Sequence, residues 1–213
     1  MASGLEQGAA ERFVATALRN PLNAAVLRRL PQLGLPDCWV VAGCLFQAIW
    51  NDTAGRPADA GVKDCDIFYF DAADLSWEAE DCVIERLRSA FADLAVAIDV
   101  KNQARVHLWY EQRFGHPYPQ LISAQDGIDR FPVAGTCIGL SPHLDGHAAL
   151  YAPFGLDDAA AGILRPNPLT NEPASFRAKA ASYQARWPHL TVEICPAAPP
   201  LRSRHVRVSL GAA

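Results

Sequence analysis

One segment narrows what this chain can fold into more than any other: Val62-Lys63-Asp64-Cys65-Asp66-Ile67-Phe68-Tyr69-Phe70. Its apolar run reads as a buried strand, and such a strand needs a covered sheet around it. Side chains alternate along a strand, so Asp64 and Asp66 point the same way, about 7 Å apart. Acids held side by side repel each other unless a cation lies between them. A divalent ion bound through oxygen is the usual resolution. The pair therefore reads as half of a metal site that needs a third acid from elsewhere.

The flanking pattern alternates helix and strand. Helical spacing covers Glu11 to Leu18 and Asn23 to Leu30, broken at Asn20-Pro21. Cys38 to Ala42 reads as a strand, Gly43 as a turn, and Cys44 to Trp50 as a helix start. A polar loop spans 51–61. Ser76 suits the N-cap of a helix with acidic first turns, running to about Ala92. From Leu94 to Val100, apolar Leu94, Val96, Ile98 and Val100 alternate with Ala95, Ala97 and Asp99, which predicts a half-buried strand ending near a carboxylate. Further on, helices are expected from Ala104 to Gln112, over Gln125 to Arg130 behind a Ser123 cap, and from Ala174 to Arg186. Strands are expected near 136–140 and 148–152, and Leu190 to Ile194 reads as extended. The fold class is α+β: a mixed sheet flanked by helices, with a C-terminal extension of helix and strand. Residues 1–195 read as one domain, with a core over about 22–110 and an extension over 111–195. The Pro-rich, Arg-containing stretch 196–213 reads as a disordered basic tail.

Composition excludes several classes. The net charge of −4 over 213 residues does not suit a general polyanion binder. No apolar run approaches the roughly 20 residues that cross a bilayer, so no membrane association is expected. The N-terminus lacks a basic start and an apolar signal core, which predicts a cytoplasmic location. The six cysteines include no Cys-x-x-Cys pair and read as reduced thiols serving as small core residues.

Three features fall in a chemically meaningful order: the turn at Gly43, the Asp64-x-Asp66 pair, and Asp99 on the next strand. Phosphoryl transfer concentrates negative charge, and two Mg²⁺ ions held by about three carboxylates neutralise it. A glycine turn lets backbone amides approach phosphates, and the following helix N-terminus favours them. This order resembles the polymerase-β-like nucleotidyltransferase superfamily, whose core motif is a Gly-Ser or Gly-Gly turn, then Asp-x-Asp/Glu, then a third Asp. The stretches Val62 to Asp71, Asp99 to His107, Ala152 to Asp158, Arg165 to Pro168 and Trp187 to Leu190 resemble a bacterial branch of it, known only as nucleotidyltransferase family proteins and earlier as a domain of unknown function. The likeness spans about residues 12–195. It implies Asp64, Asp66 and Asp99 as metal-binding and catalytic residues, Mg²⁺ (or Mn²⁺) in a two-metal site, and a nucleoside triphosphate as substrate. It implies no acceptor, which is open between a small molecule, a protein and an RNA; the oligomeric state is equally open. Two departures stand out: Cys44 follows Gly43 where the superfamily has Ser or Gly, and the gap to Asp64 is longer.

Around this motif, Gly43 and Cys44 are expected at the phosphates, with Lys101, Asn102 and Arg105 as a polar wall of the nucleotide site. His107 reads either as part of that wall or as a core histidine. Asp71, Asp74 and Asp157-Asp158 read as loop and capping residues. Arg165, Arg177, Lys179 and Arg186 read as a solvated surface, or as a basic one facing an acidic acceptor. Trp50, Trp77, Trp109 and Trp187 read as core or interface aromatics. The chemistry is that of a nucleotidyltransferase; the alternative is a nucleotide-binding or regulatory module that keeps the fold with little catalysis.

Overall fold

The computed structural model of the chain describes residues 4–170, 172–200 and 205–211. Helix α1 spans Gly4–Ala17 and α2 spans Pro21–Arg29. Between them, Asn20 Oδ1 accepts from the Leu22 N–H at 2.9 Å, and Pro21 takes the first turn, where a missing N–H costs nothing. Three strand-to-helix units follow: β1 (Trp39–Val41) into α3 (Gly43–Thr53), β2 (Asp64–Tyr69) into α4 (Trp77–Ala90), and β3 (Ala97–Asn102) into α5 (Val106–Phe114). Then come α6 (Ala124–Ile128), β4 (Gly139–Pro142), β5 (His147–Tyr151), α7 (Asp157–Ala161), β6 (Ile163–Leu164), α8 (Pro173–Arg186), β7 (Thr191–Val192) and β8 (His205–Ser209). Ser76 caps α4 as expected, its Oγ accepting from the Ala79 N–H at 3.2 Å. Ser123 caps α6 in the same way.

Six strands make one sheet in the order β3-β2-β1-β4-β5-β8, in which β2 and β3 are parallel and every other pair is antiparallel. Register fixes what each face carries. One row crosses all six strands as Val100, Ile67, Val40, Leu140, Leu150 and Val206. It faces helices α1 to α4 and packs with Phe13, Leu27, Leu45, Trp50 and Leu87 as the main core. Each such fully buried side chain contributes about 1.5–3 kcal/mol. The neighbouring row points to the opposite face and reads Asp99, Asp66, Val41, Gly139, Tyr151 and His205. Its β1, β4 and β5 members lie under α6 in a second apolar cluster with Trp39, Ala124 and Ile128. Gly139 permits that approach, because a Cβ there would meet Ile128 Cδ1 at 2.7 Å. The β2 and β3 members of the row are the two acids.

Some expectations need correction. The strand holding Asp99 begins at Ala97, because α4 ends at Ala90 and a turn closed by the Leu94 N–H on Phe91 O uses the intervening residues. The stretch 111–195 supplies β4, which pairs with β1 in the middle of the sheet. Within 196–213, residues 205–209 form an edge strand on β5 rather than a disordered tail. Among the cysteines, Cys44, Cys65 and Cys137 are buried as expected, while Cys82 and Cys195 are exposed. Trp50 and Trp187 lie in the core, with Trp187 Nε1 donating to Asn51 Oδ1 at 2.8 Å, but Trp77 is 65% exposed. Asp71 and Asp74 hold loop backbone as expected, whereas neither Asp157 nor Asp158 caps α7, whose N-cap is Leu156 with no side-chain cap hydrogen bond. The first two accept from the backbone N–H groups of Ala73 and Ser76, and Asp158 pairs with Arg165 at 3.1 Å.

Candidate active site

The β1–α3 turn builds one side of the site. Its strained residue is Ala42, not Gly43: Ala42 has φ 61° and ψ −133°, and Gly43 is already the first helical residue. An L residue in that conformation costs roughly 1–3 kcal/mol. It is held there by its N–H on Ile138 O at 3.3 Å and by its carbonyl, which accepts from the Leu45 N–H at 3.1 Å. Ala42→Gly is therefore expected to raise stability by about 1 kcal/mol, since relief of strain exceeds the added entropy of the unfolded chain. Urea unfolding would show a higher midpoint with an unchanged slope. Gly43 matters for space: a Cβ there would meet Gln47 Nε2 at 2.5 Å, and the buried Gln47 Oε1 has no hydrogen-bond partner.

The Cys44 side chain does not face a ligand. Its buried thiol donates toward Val41 O and lies 3.6 Å from Cys65 Sγ, and that neighbour together with burial pushes its pKa well above the ordinary thiol value. The Cys44 backbone N–H is at the helix start. With that of Gly43, it belongs to the first turn of α3, where N–H groups have no intrahelical acceptor.

The acids come next. Asp66 and Asp99 are register partners on adjacent parallel strands, and Asp64 lies on the same face one pleat along from Asp66. Asp66 is half-buried, and its pKa is pushed up to about 7, first by loss of water and then by the charges of Asp64 and Asp99. Lys179 of α8 and Lys101 act against that shift. Lys101 Nζ lies 2.6 Å from Asp99 Oδ1. Lys179 thus faces the acids across the site, a position that the spacing of basic residues along α8 gave no means of singling out.

Two members of the expected polar wall lie elsewhere. Arg105 is buried, forms an ion pair with Glu80, and donates through Nε to Leu75 O at 2.8 Å. Asn102 pairs in register with Tyr69, away from the acids; its Oδ1 accepts from the Asp71 and Ala104 N–H groups, and its own N–H is held by Glu80 at 2.7 Å. Both tie β3 to α4 and the loop after β2, and their polar groups are taken up in those contacts. His107 is largely buried, with no hydrogen-bond partner for its Nδ1.

A family model described as nucleotidyltransferase matches residues 28–192. The chain belongs to this nucleotidyltransferase family. A solved structure described as an NMR structure revealing a CCA-adding enzyme head domain shares the fold. Its TM-score is 0.68 at 24% identity, covering 86% of this chain and 95% of the other. No curated protein matches significantly.

Among the described residues of this nucleotidyltransferase, no three His, Cys, Asp or Glu side chains are gathered closely enough to hold a metal ion as they stand. The donor chemistry nonetheless fits a hard divalent cation. The available donors are carboxylate oxygens on one sheet face, with Asp66 and Asp99 directly paired in register. Two cavities meet at Asp66. A small one of about 180 Å³ includes Ala42, Thr136 and Lys179, and a groove of about 920 Å³ includes Asp99, Lys101 and Trp109. No helix among the described residues is long and apolar enough to cross a membrane.

Proposed function

We propose that this nucleotidyltransferase is metal-dependent and moves a nucleoside monophosphate from a nucleoside triphosphate to an acceptor hydroxyl, releasing pyrophosphate. The observation that supports this most is the row that sets Asp66 beside Asp99 on the open sheet face, with Asp64 next to them. Asp64, Asp66 and Asp99 would hold Mg²⁺ or Mn²⁺, which when bound supplies Lewis-acid stabilisation of the phosphate charge. The N–H groups of Gly43 and Cys44 receive the triphosphate at the positive end of α3. Lys179 and Lys101 add positive charge from either side of Asp66. Asp99 takes the proton of the attacking hydroxyl. The new O–P bond forms at the α-phosphorus as the bond to the β-phosphate oxygen breaks, and pyrophosphate leaves. The free thiols, three of them buried, fit a reducing, cytoplasmic setting.

One observation favours a second reading, a nucleotide-binding module with little catalysis: Asp99 is already engaged by Lys101 at 2.6 Å. Pyrophosphate release from ATP with Mg²⁺, across a panel of hydroxyl acceptors, separates the two. Transfer predicts Mg²⁺-dependent release that falls roughly 100-fold or more in Asp99→Asn. ATP binding with no pyrophosphate from any acceptor would establish the module instead.

A further inference from the structure

We infer that the groove beyond Asp99 is an acceptor subsite for a nucleobase-bearing, phosphate-bearing molecule: a nucleotide, or the end of a single nucleic-acid strand. The inference rests on the transfer reading above and names the substrate class of that same site.

The two cavities share Asp66, Phe68, Phe131, Pro132 and Lys179 and differ at their far ends. Ala42, at the turn that receives phosphate, lines the small cavity with Asp66 but without Asp99. Asp99 lines the large groove. In-line attack places the acceptor opposite the leaving pyrophosphate, hence on the Asp99 side. That side carries a run of half-exposed rings. Tyr110 packs tilted against Phe114 at 4.5 Å and against Tyr118 at 4.3 Å between centroids, and Trp109 adjoins Phe114 at 6.4 Å. Aromatic side chains lining a groove give a planar base apolar surface to pack on. The cations select what the ring is attached to. Arg130 lies 5.6 Å over Tyr118, and Lys101 and Lys179 line the same groove. The one further carboxylate there, Glu172, is engaged by the Ser175 hydroxyl at 2.8 Å, with His116 Nε2 at 3.5 Å. A planar ring carrying phosphate and a free hydroxyl satisfies all three components of the groove: rings, cations and Asp99.

The test titrates the full chain with AMP and with a hexamer of riboadenylate, following tryptophan fluorescence. Both are expected to quench it, and Trp109→Phe to remove most of the quench. Tyr110→Leu keeps apolar volume but removes the ring, and is expected to weaken binding about tenfold with an unchanged circular dichroism spectrum. Equal affinity for the two probes identifies a single nucleotide as acceptor; a hexamer at least tenfold tighter, with steep salt dependence, identifies a strand end. If neither probe binds, or if Tyr110→Leu binds as the unchanged protein does, the assignment is overturned. Pyrophosphate release after ATP and Mg²⁺ are added to the same samples judges the transfer reading separately. Binding with no release overturns that reading, whereas release at subsaturating hexamer that ignores Tyr110→Leu overturns the groove assignment alone.

Discussion

Asp66→Asn is expected to give a protein that is inactive and, at pH 8 without metal, more stable than the original. Asp66 carries a folded-state pKa of about 7 against an ordinary 3.8. Between those values the folded protein keeps a proton that the unfolded chain has released. Stability therefore falls as pH rises through that window and is flat above it. The loss at pH 8 is of the order of 2–4 kcal/mol, since each unit of displacement is worth about 1.4 kcal/mol. Asparagine carries no charge to repel Asp64 and Asp99, so the variant escapes the loss. Thermal melts should nearly coincide at pH 4 and diverge at pH 8, with the variant higher by roughly 5–10 °C for a domain of this size. Mg²⁺ should raise the melting temperature of the original protein at pH 8 and leave the variant nearly unmoved. Coincident melts at pH 8 would mean that the acids do not strain the fold.

The second large effect concerns Arg105. Its guanidinium pairs with Glu80, and the Glu80 carboxylate also holds the Asn102 N–H. Arg105→Met leaves a buried, partly unpaired carboxylate and is expected to cost about 3–5 kcal/mol. The double variant Arg105→Met with Glu80→Leu should recover much of that, because no buried charge then lacks a partner. The affinity for ATP should be unchanged in the double variant. Urea unfolding with ATP titration decides it. A stable Arg105→Met that loses ATP affinity would return Arg105 to the nucleotide site.

Much of this was legible locally. The Asp64-x-Asp66 alternation, the Ser76 and Ser123 caps and the Asn20-Pro21 break depend on residues within one turn or pleat of each other, and sequence records such spacing directly. Arg105 and Asn102 were not legible, because a basic or amide residue after a strand reads the same whether it meets Glu80 or a phosphate. Lys179 differs from Arg177 and Arg186 only in which way α8 turns it. The Ala42 strain hid behind the adjacent glycine, which took the expected role by composition. The strand 205–209 is flanked by Pro- and Arg-rich residues whose composition outweighed its short alternation of His205, Val206, Arg207, Val208 and Ser209.

The unequal reach of the sheet's pairings bears on how the molecule assembles. Asp66 meets Asp99 across a single intervening helix, so β2, α4 and β3 close a short loop. Val40 must find Leu140, and β5 must wait for β8, so those pairings close longer ones at greater entropic cost. Hydrogen-exchange labelling during refolding should show Ile67 and Val100 protected before Leu140 and Leu150. The acidic pair would then be framed early, and its mutual repulsion would weigh on the folding barrier as well as on the finished protein.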